Sequence, residues 1–203
     1  MEPFTIVKGI VAPLGRPNVD TDQIIPSQFI KRIERTGFGE SAFFDWRYLP
    51  DGRPNLRFEL NQPGYQGAKI LVTGRNFGCG SSREHAVWAL REYGFRAIIA
   101  PSFANIFYNN CIQNGVLPVV LPEERVRELM RKAREGSGCE LTVDLERQFL
   151  YDAEGFRERF DMDPFVRERL LNGLDDIAMT LGAEDRIAAF EEQRPPWLTP
   201  TES

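Results

Sequence analysis

Residues able to do chemistry concentrate between Gly74 and Ala86. The stretch Gly74-Arg75-Asn76-Phe77-Gly78-Cys79-Gly80-Ser81-Ser82-Arg83-Glu84-His85-Ala86 passes three glycines, two adjacent serines, two arginines and a histidine through one turn. A short apolar run, Lys69–Thr73, precedes it and a helix-forming run follows, so the turn should join a strand to a helix. The first N–H groups of such a helix have no intrahelical acceptor and sit at the positive end of the helix dipole. That is a place for an anion. Arg83 adds a planar fork of donors matched to a carboxylate. Ser81 and Ser82 stand at the same point as potential bases or nucleophiles, so a small anionic substrate gripped beside them is the chemistry suggested.

A plainer account competes with this one. Ser81-Ser82-Arg83-Glu84 fits a capping box, with Ser81 at the N-cap and Glu84 reaching back from the third helical position. A cap needs only one serine, however, and a turn needs only one or two glycines. The excess of Asn76, Gly78, Gly80, both serines, Arg83 and His85 is left unexplained. His85 reads as a helix-packing residue about one turn beyond the cap. The stretch is not a Walker A loop, because no Gly-Lys-Ser/Thr follows the glycines. Nor is it a dinucleotide fingerprint, because Arg83 stands where a third glycine belongs. The chain has one histidine, which excludes any mechanism needing two in this chain. No His–Asp pair is arranged to activate a serine for acyl transfer. Its three cysteines, Cys79, Cys111 and Cys139, form no C-x-x-C pair, so this chain shows no cluster or structural zinc pattern of its own.

Several elements must position this turn. Thr5–Val11 reads as a first strand, followed by a loop rich in Pro, Gly and Asp. Within that loop, Asp20-Thr21-Asp22 is expected to make an Asx-type turn and to serve structure, not metal binding. The basic segment from Phe29 to Gly39 reads as a mobile loop, and Ser41–Tyr48 as a short helix with Phe44 and Tyr48 on one face. Pro50–Gly67 reads as an irregular connection. The helix after the turn should span Ser82–Tyr93 and close at Gly94. Strands are expected at Arg96–Ala100 and Val116–Leu121, with helices at about Ala104–Asn114 and after Pro122. A hairpin-like pair, Glu140–Leu145 and Gln148–Tyr151, precedes a helical tail that Pro164 opens. The chain's 203 residues suit one domain with such a tail. The net charge of -5 argues against a nucleic-acid partner. No stretch is long and apolar enough for a membrane span, and no signal peptide is visible, so a cytoplasmic location is expected.

The segment Asn76 to Ala86 is similar to the signature of the aconitase swivelling-domain family. Ala97-Ile98-Ile99-Ala100-Pro101-Ser102-Phe103-Ala104 resembles the family's next strand and turn, and Asn18 to Pro26 resembles its N-terminal motif. Thr36-Gly37-Phe38-Gly39, Asp45-Trp46-Arg47 and Asn172-Gly173-Leu174-Asp175 resemble the bacterial isopropylmalate dehydratase small subunits in particular. The resemblance implies one α/β domain of the swivelling β/β/α kind over residues 1–193, carrying a helical C-terminal tail, with a disordered end over 194–203. It implies a hydro-lyase of leucine biosynthesis that interconverts 2- and 3-isopropylmalate by removing and re-adding water.

The resemblance also implies a division of roles. A [4Fe–4S] cluster, bound by a large partner subunit and not by this chain, would act as Lewis acid on a small dicarboxylate substrate. Ser81 would be the base, Ser82 a donor to the substrate carboxylate and Arg83 its clamp, with Gly80 lining the site. A second basic group is expected from the loop after the N-terminal motif: Arg35 first, with Lys31 and Arg32 as alternatives. Phe29 or Ile30 would supply an apolar wall for the isopropyl group. A related hydro-lyase small subunit, such as that of homoaconitase or a methylmalate dehydratase, fits the same motifs, as does a non-catalytic assembly subunit. The triplet Ser81-Ser82-Arg83 speaks against the latter.

Overall fold

A computed structural model describes residues 1–31, 36–135, 139–174, 176–181 and 184–192. In chain order the elements are β1 (Ile6–Leu14), α1 (Thr21–Ile24), α2 (Phe44–Arg47), β2 (Ile70–Thr73), α3 (Glu84–Tyr93), β3 (Ala97–Ala100), α4 (Asn105–Gln113) and β4 (Leu117–Val120). There follow α5 (Glu123–Glu135), β5 (Glu140–Asp144), β6 (Phe149–Tyr151), β7 (Arg157–Arg159), α6 (Pro164–Asn172), α7 (Asp176–Leu181) and α8 (Glu184–Glu192).

The strands form one seven-stranded sheet in the order β4-β3-β2-β1-β5-β6-β7. β1 to β4 are mutually parallel, as expected for the three central strands, and β5 to β7 add an antiparallel flank. Both faces of the parallel half are covered. Leu71, Ile98 and Ala100 point to a core with α3 and α4, whereas Ile70, Val72, Ala97 and Ile99 point to a second core with α5. Burial on both sides is why these strands read as unbroken apolar runs instead of alternating ones.

β1 runs three residues past the expected end at Val11 and includes Pro13. The strand changes partners midway: Ile6–Ile10 pair with β5, and Val11–Leu14 with β2. Pro13 therefore lies beyond the β5 register, where one side of the strand needs no donor. The helix expected at Ser41–Tyr48 is shortened to α2 by Phe43, whose left-handed φ of 53° blocks an earlier start. The irregular span before β2 holds two 3-10 turns, Glu59–Asn61 and Pro63–Tyr65. The edge strand β7 and the short α7 were not expected: β7 is three charged residues paired only to β6. The tail over 194–203 lies outside the described residues.

The parallel strands β1, β2 and β3 all end on the same edge, where open α/β sheets place their ligands. Backbone pairing continues past the strand ends there. Gly78 N–H donates to Val19 O at 2.8 Å and Thr21 N–H to Cys79 O at 2.9 Å, while on the other side Phe77 N–H donates to Ser102 O at 3.1 Å. Phe77 is buried against Phe103 and Phe107, and a Cβ on Gly78 would fall 2.1 Å from the Phe107 ring at a φ of +74°. Gly78→Ala is therefore expected to lose about 3 kcal/mol, overpacking and left-handed strain together. Gly52→Ala, with φ +81° but nothing within 4 Å, should lose only about 1 kcal/mol. Urea unfolding of both variants checks this, and equal losses would mean that the ring contact does not matter.

Candidate active site

The turn from Gly74 to Arg83 crosses the strand edge between two neighbouring loops. On one side lies the N-terminal motif, on the other Ser102–Ala104. Asn76 takes a left-handed φ of 55°, its N–H donates to Ser102 Oγ at 2.9 Å, and its side-chain amide donates to Asn18 Oδ1 at 3.0 Å. Thr21 Oγ1 donates to the carbonyl of Ser81 at 2.8 Å, fixing the turn just before the helix. Thr21 is buried. The Asp20 segment expected to make an Asx turn instead opens α1 with a full capping box. Asp20 Oδ1 accepts from Gln23 N–H at 2.7 Å, and Gln23 Oε1 accepts from Asp20 N–H at 3.0 Å.

The capping box expected at Ser81 is absent. α3 starts at Glu84, two residues later than expected, and Arg83 is its N-cap with extended backbone and no side-chain cap bond. The reason is local. Thr21 and the left-handed Gly80 (φ +87°) pin the chain in a bend at Ser81, and Arg83 beyond it is extended, so helical geometry begins only at Glu84. Glu84, expected to reach back to the cap, accepts from Asn114 Nδ2 at 2.9 Å, and Asn114 Oδ1 accepts from Trp88 Nε1 at 2.9 Å. Glu84 thus ties α3 to the end of α4. Both serines are exposed, and among the described residues neither hydroxyl has a hydrogen-bond partner.

Arg83 is largely buried, its side chain 18% exposed, and its Nη1 donates to the Asp22 carboxylate and, at 3.3 Å, to the carbonyl of Ile25. The Arg83 hydrogen bond holds the Asp22 carboxyl below its ordinary range, against the opposing effect of burial. Next to the serines, burial and then the Asp20 carboxylate push the Cys79 thiol up, which keeps it neutral. His85 packs edge-on against Trp88 and Phe38, with ring centroids 4.7 and 5.4 Å away. That is the packing role its sequence position suggested.

A cleft of about 280 Å³ opens between the N-terminal turns of α3 and α4. Gly80, Ser81, Ser82 and Arg83 line one side, and Asn105, Ile106 and Asn110 the other. α4 also lacks a side-chain cap, because Ala104 stands at its N-cap. Two helix starts with uncapped donors therefore meet at one cleft. Of the other expected site residues, Phe29 packs at a tilt against Phe44, ring centroids 4.8 Å apart, and Ile30 packs on the core below. Neither lines this cleft. Lys31 is exposed, and Arg35 and Arg32 lie outside the described residues. Sequence reading missed the α4 side of the cleft. Its signal was the alanine at an N-cap, where a serine or aspartate would have closed the donors.

The fold and this turn define a swivelling domain of the aconitase type: the aconitase C-terminal domain family matches residues 1–124, and the family of the C-terminal domain of the 3-isopropylmalate dehydratase small subunit matches residues 176–201. The chain is 61% identical over 195 residues to the 3-isopropylmalate dehydratase small subunit of Rhodopirellula baltica, covering 96% of this chain and 100% of that one. It is 57% identical over 198 residues to that of Bacillus subtilis, covering 98% and 99%. The crystal structure of 3-isopropylmalate dehydratase from Methanocaldococcus jannaschii shares the fold at a TM-score of 0.65 and 24% identity, covering 92% of this chain and 99% of that one. The chain belongs to the 3-isopropylmalate dehydratase small-subunit family.

The Asp22–Arg83 pair gives a measurement independent of turnover. Because the folded carboxyl titrates below its unfolded value of about 3.9, the pair stabilises the fold above that pH and is lost as pH falls through the lowered folded value. An NMR titration should place the Asp22 midpoint below the ordinary range and return it upward in Arg83→Ala. A midpoint that ignores the substitution would show that Asp22 does not hold Arg83.

Proposed function

We propose that this chain is the proton-transferring half of a 3-isopropylmalate dehydratase of leucine biosynthesis, working in the cytoplasm with a large subunit. One observation carries the reading. Ser81, Ser82, Arg83 and two uncapped helix N-termini converge on a single cleft. An anion-binding corner with free hydroxyls suits a dicarboxylate whose C–H next to a carboxylate must lose a proton. Among the described residues no group of three or more His, Cys, Asp or Glu side chains gathers to hold a metal, and Cys111 is sealed in the core. These residues do not fit an iron–sulfur cluster, so in this reading a [4Fe–4S] cluster belongs to the large subunit.

In the proposed mechanism Ser81, as its alkoxide, takes the proton from the carbon beside the substrate carboxylate while the hydroxyl leaves the adjacent carbon, a departure for which the large subunit's cluster would supply the Lewis acid, and Ser81 returns a proton on rehydration. Charge builds on that carboxylate as the C–H bond breaks. Arg83, a hydrogen bond from Ser82 and the open N–H groups of α3 are aimed at it. Asp22 and the Ile25 carbonyl take one arm of the Arg83 fork, Nη1. They orient the guanidinium without neutralising its remaining donors. The substrate's second carboxylate would meet the basic segment that holds Lys31 and Arg35, and Gly80 gives the substrate close access to backbone.

The missing cap makes the test clean. In the complex assembled with its large subunit, Ser81→Ala should reduce kcat about 10²–10⁴-fold and leave the melting behaviour within about 0.5 kcal/mol of the parent. A capping serine would do the reverse, lowering stability by about 1 kcal/mol with turnover per folded complex intact. Arg83→Lys should raise KM as well as lower kcat, because lysine keeps the charge and loses the fork. Normal turnover in an early-melting Ser81→Ala complex would refute the assignment.

A further inference from the structure

The wall of the cleft facing the serines belongs to α4. Along this helix Phe107, Cys111 and Ile112 are buried and make its core face. Ile106 and Asn110, one turn apart, form a separate stripe that lines the cleft. Ile106 is 54% exposed. Nothing in the folding of α4 asks for it. It is the second residue of the helix, a β-branched side chain where polar or acidic residues suit the free N–H groups better, and more than half of it stays exposed. Its neighbours across the opening are Gly80, Ser81, Ser82 and Arg83. The apolar side chains of the N-terminal segment do not take this position, since Phe29 lies on Phe44 and Ile30 packs on the core.

We infer that Ile106 is a specificity-determining residue: it is the apolar wall against which the substrate's branched alkyl group packs while Arg83 holds the neighbouring carboxylate. The inference rests on the dehydratase reading and names the part of the site that selects among alkyl substituents. A helix start is a rigid mount, so the wall stands at a fixed distance from the serines. The chemistry it recognises is a hydroxy-dicarboxylate with a bulky aliphatic branch, in preference to one with a hydrogen or methyl there. Asn110, one turn further along, places an amide beside this wall, where it would meet the hydrophilic side of the same substrate.

The test uses the assembled complex and two substrates, the isopropyl-substituted malate and its methyl-substituted homologue. Ile106→Ala should lower kcat/KM for the isopropyl compound about tenfold or more, through KM, and leave the methyl compound little affected. Ile106→Val, which keeps the branched wall, should restore most of the preference. Equal losses for both substrates, or no loss for either, would overturn the inference. Failure of the Ile106→Ala chain to assemble with the large subunit would also overturn it, by placing the side chain in the interface. A parent complex that assembles but turns over neither compound would remove the dehydratase reading itself, and this inference with it. A parent that works beside an indifferent Ile106→Ala removes the inference alone.

Discussion

The site depends on a seam of backbone hydrogen bonds that continues the sheet after its strands have stopped. Gly78 N–H to Val19 O and Thr21 N–H to Cys79 O hold the N-terminal motif along one edge of the glycine turn, and Phe77 N–H to Ser102 O holds the other edge. The turn is irregular, yet it is paired on both sides like a strand. The pairing requires the chain to be extended where a helix would otherwise nucleate, and it therefore delays α3 until Glu84. Two consequences follow. The serine hydroxyls are released from any capping duty, and the first donors of α3 stay open toward the cleft. Gly78 is the hinge of this constraint, because only a residue without Cβ lets the Phe107 ring close against the turn and bring α4 alongside.

The same seam explains why Arg83 is held rather than free. A long cationic side chain loses on the order of 2 kcal/mol of rotamer entropy when it is fixed, and a site that fixes it only on substrate binding would weaken binding by that amount. Asp22 and the Ile25 carbonyl fix it in advance. Both partners come from the short α1 segment, which is itself closed by the Asp20–Gln23 box. The ion pair lies half in solvent, with Asp22 59% exposed, so its value is orientation more than stability. Preorganised donors of this kind act on developing charge without having to rearrange as the reaction proceeds.

Much of this was legible in the sequence, for identifiable reasons. The apolar runs Ile70–Thr73, Ala97–Ala100 and Leu117–Val119 are buried on both faces, and continuous apolar strands separated by helical patterns mark a parallel sheet. Gly173 closes α6 in the left-handed conformation that a glycine after a helix suggests. The start of α3 was not legible because a capping box is a local pattern, and here a tertiary contact overrides it: Thr21 Oγ1 takes the Ser81 carbonyl from 60 residues away. The true capping box lies in Asp20-Thr21-Asp22-Gln23, where only four helical residues, Thr21–Ile24, separate the Asp20 cap from Ile25 and no hydrophobic period advertises a helix. The α4 wall was hidden for the opposite reason. Its informative residues, Ala104 and Ile106, are ordinary in type, and only their position beside the serines gives them meaning.

The exposure of the serines bears on how the proposed chemistry is divided between subunits. An alcohol open to water cannot be a useful base at neutral pH, because bulk solvent stabilises neither a lone alkoxide nor the developing carboxylate charge as fixed dipoles do. The donors that surround Ser81 here, two helix starts and Arg83, gain strength as water leaves, since charge interactions grow as the local dielectric falls. In this chain the cleft is open on its serine side, and nothing in the described residues closes it. Under the proposed reading the large subunit therefore supplies more than a cluster: docking over the strand edge excludes water and turns a prearranged set of donors into a field strong enough to make Ser81 a base. In that reading the free small chain holds the geometry at rest, with Arg83 latched to Asp22 and the serine hydroxyls unpaired among the described residues, and the reactive state would form only across the assembled interface.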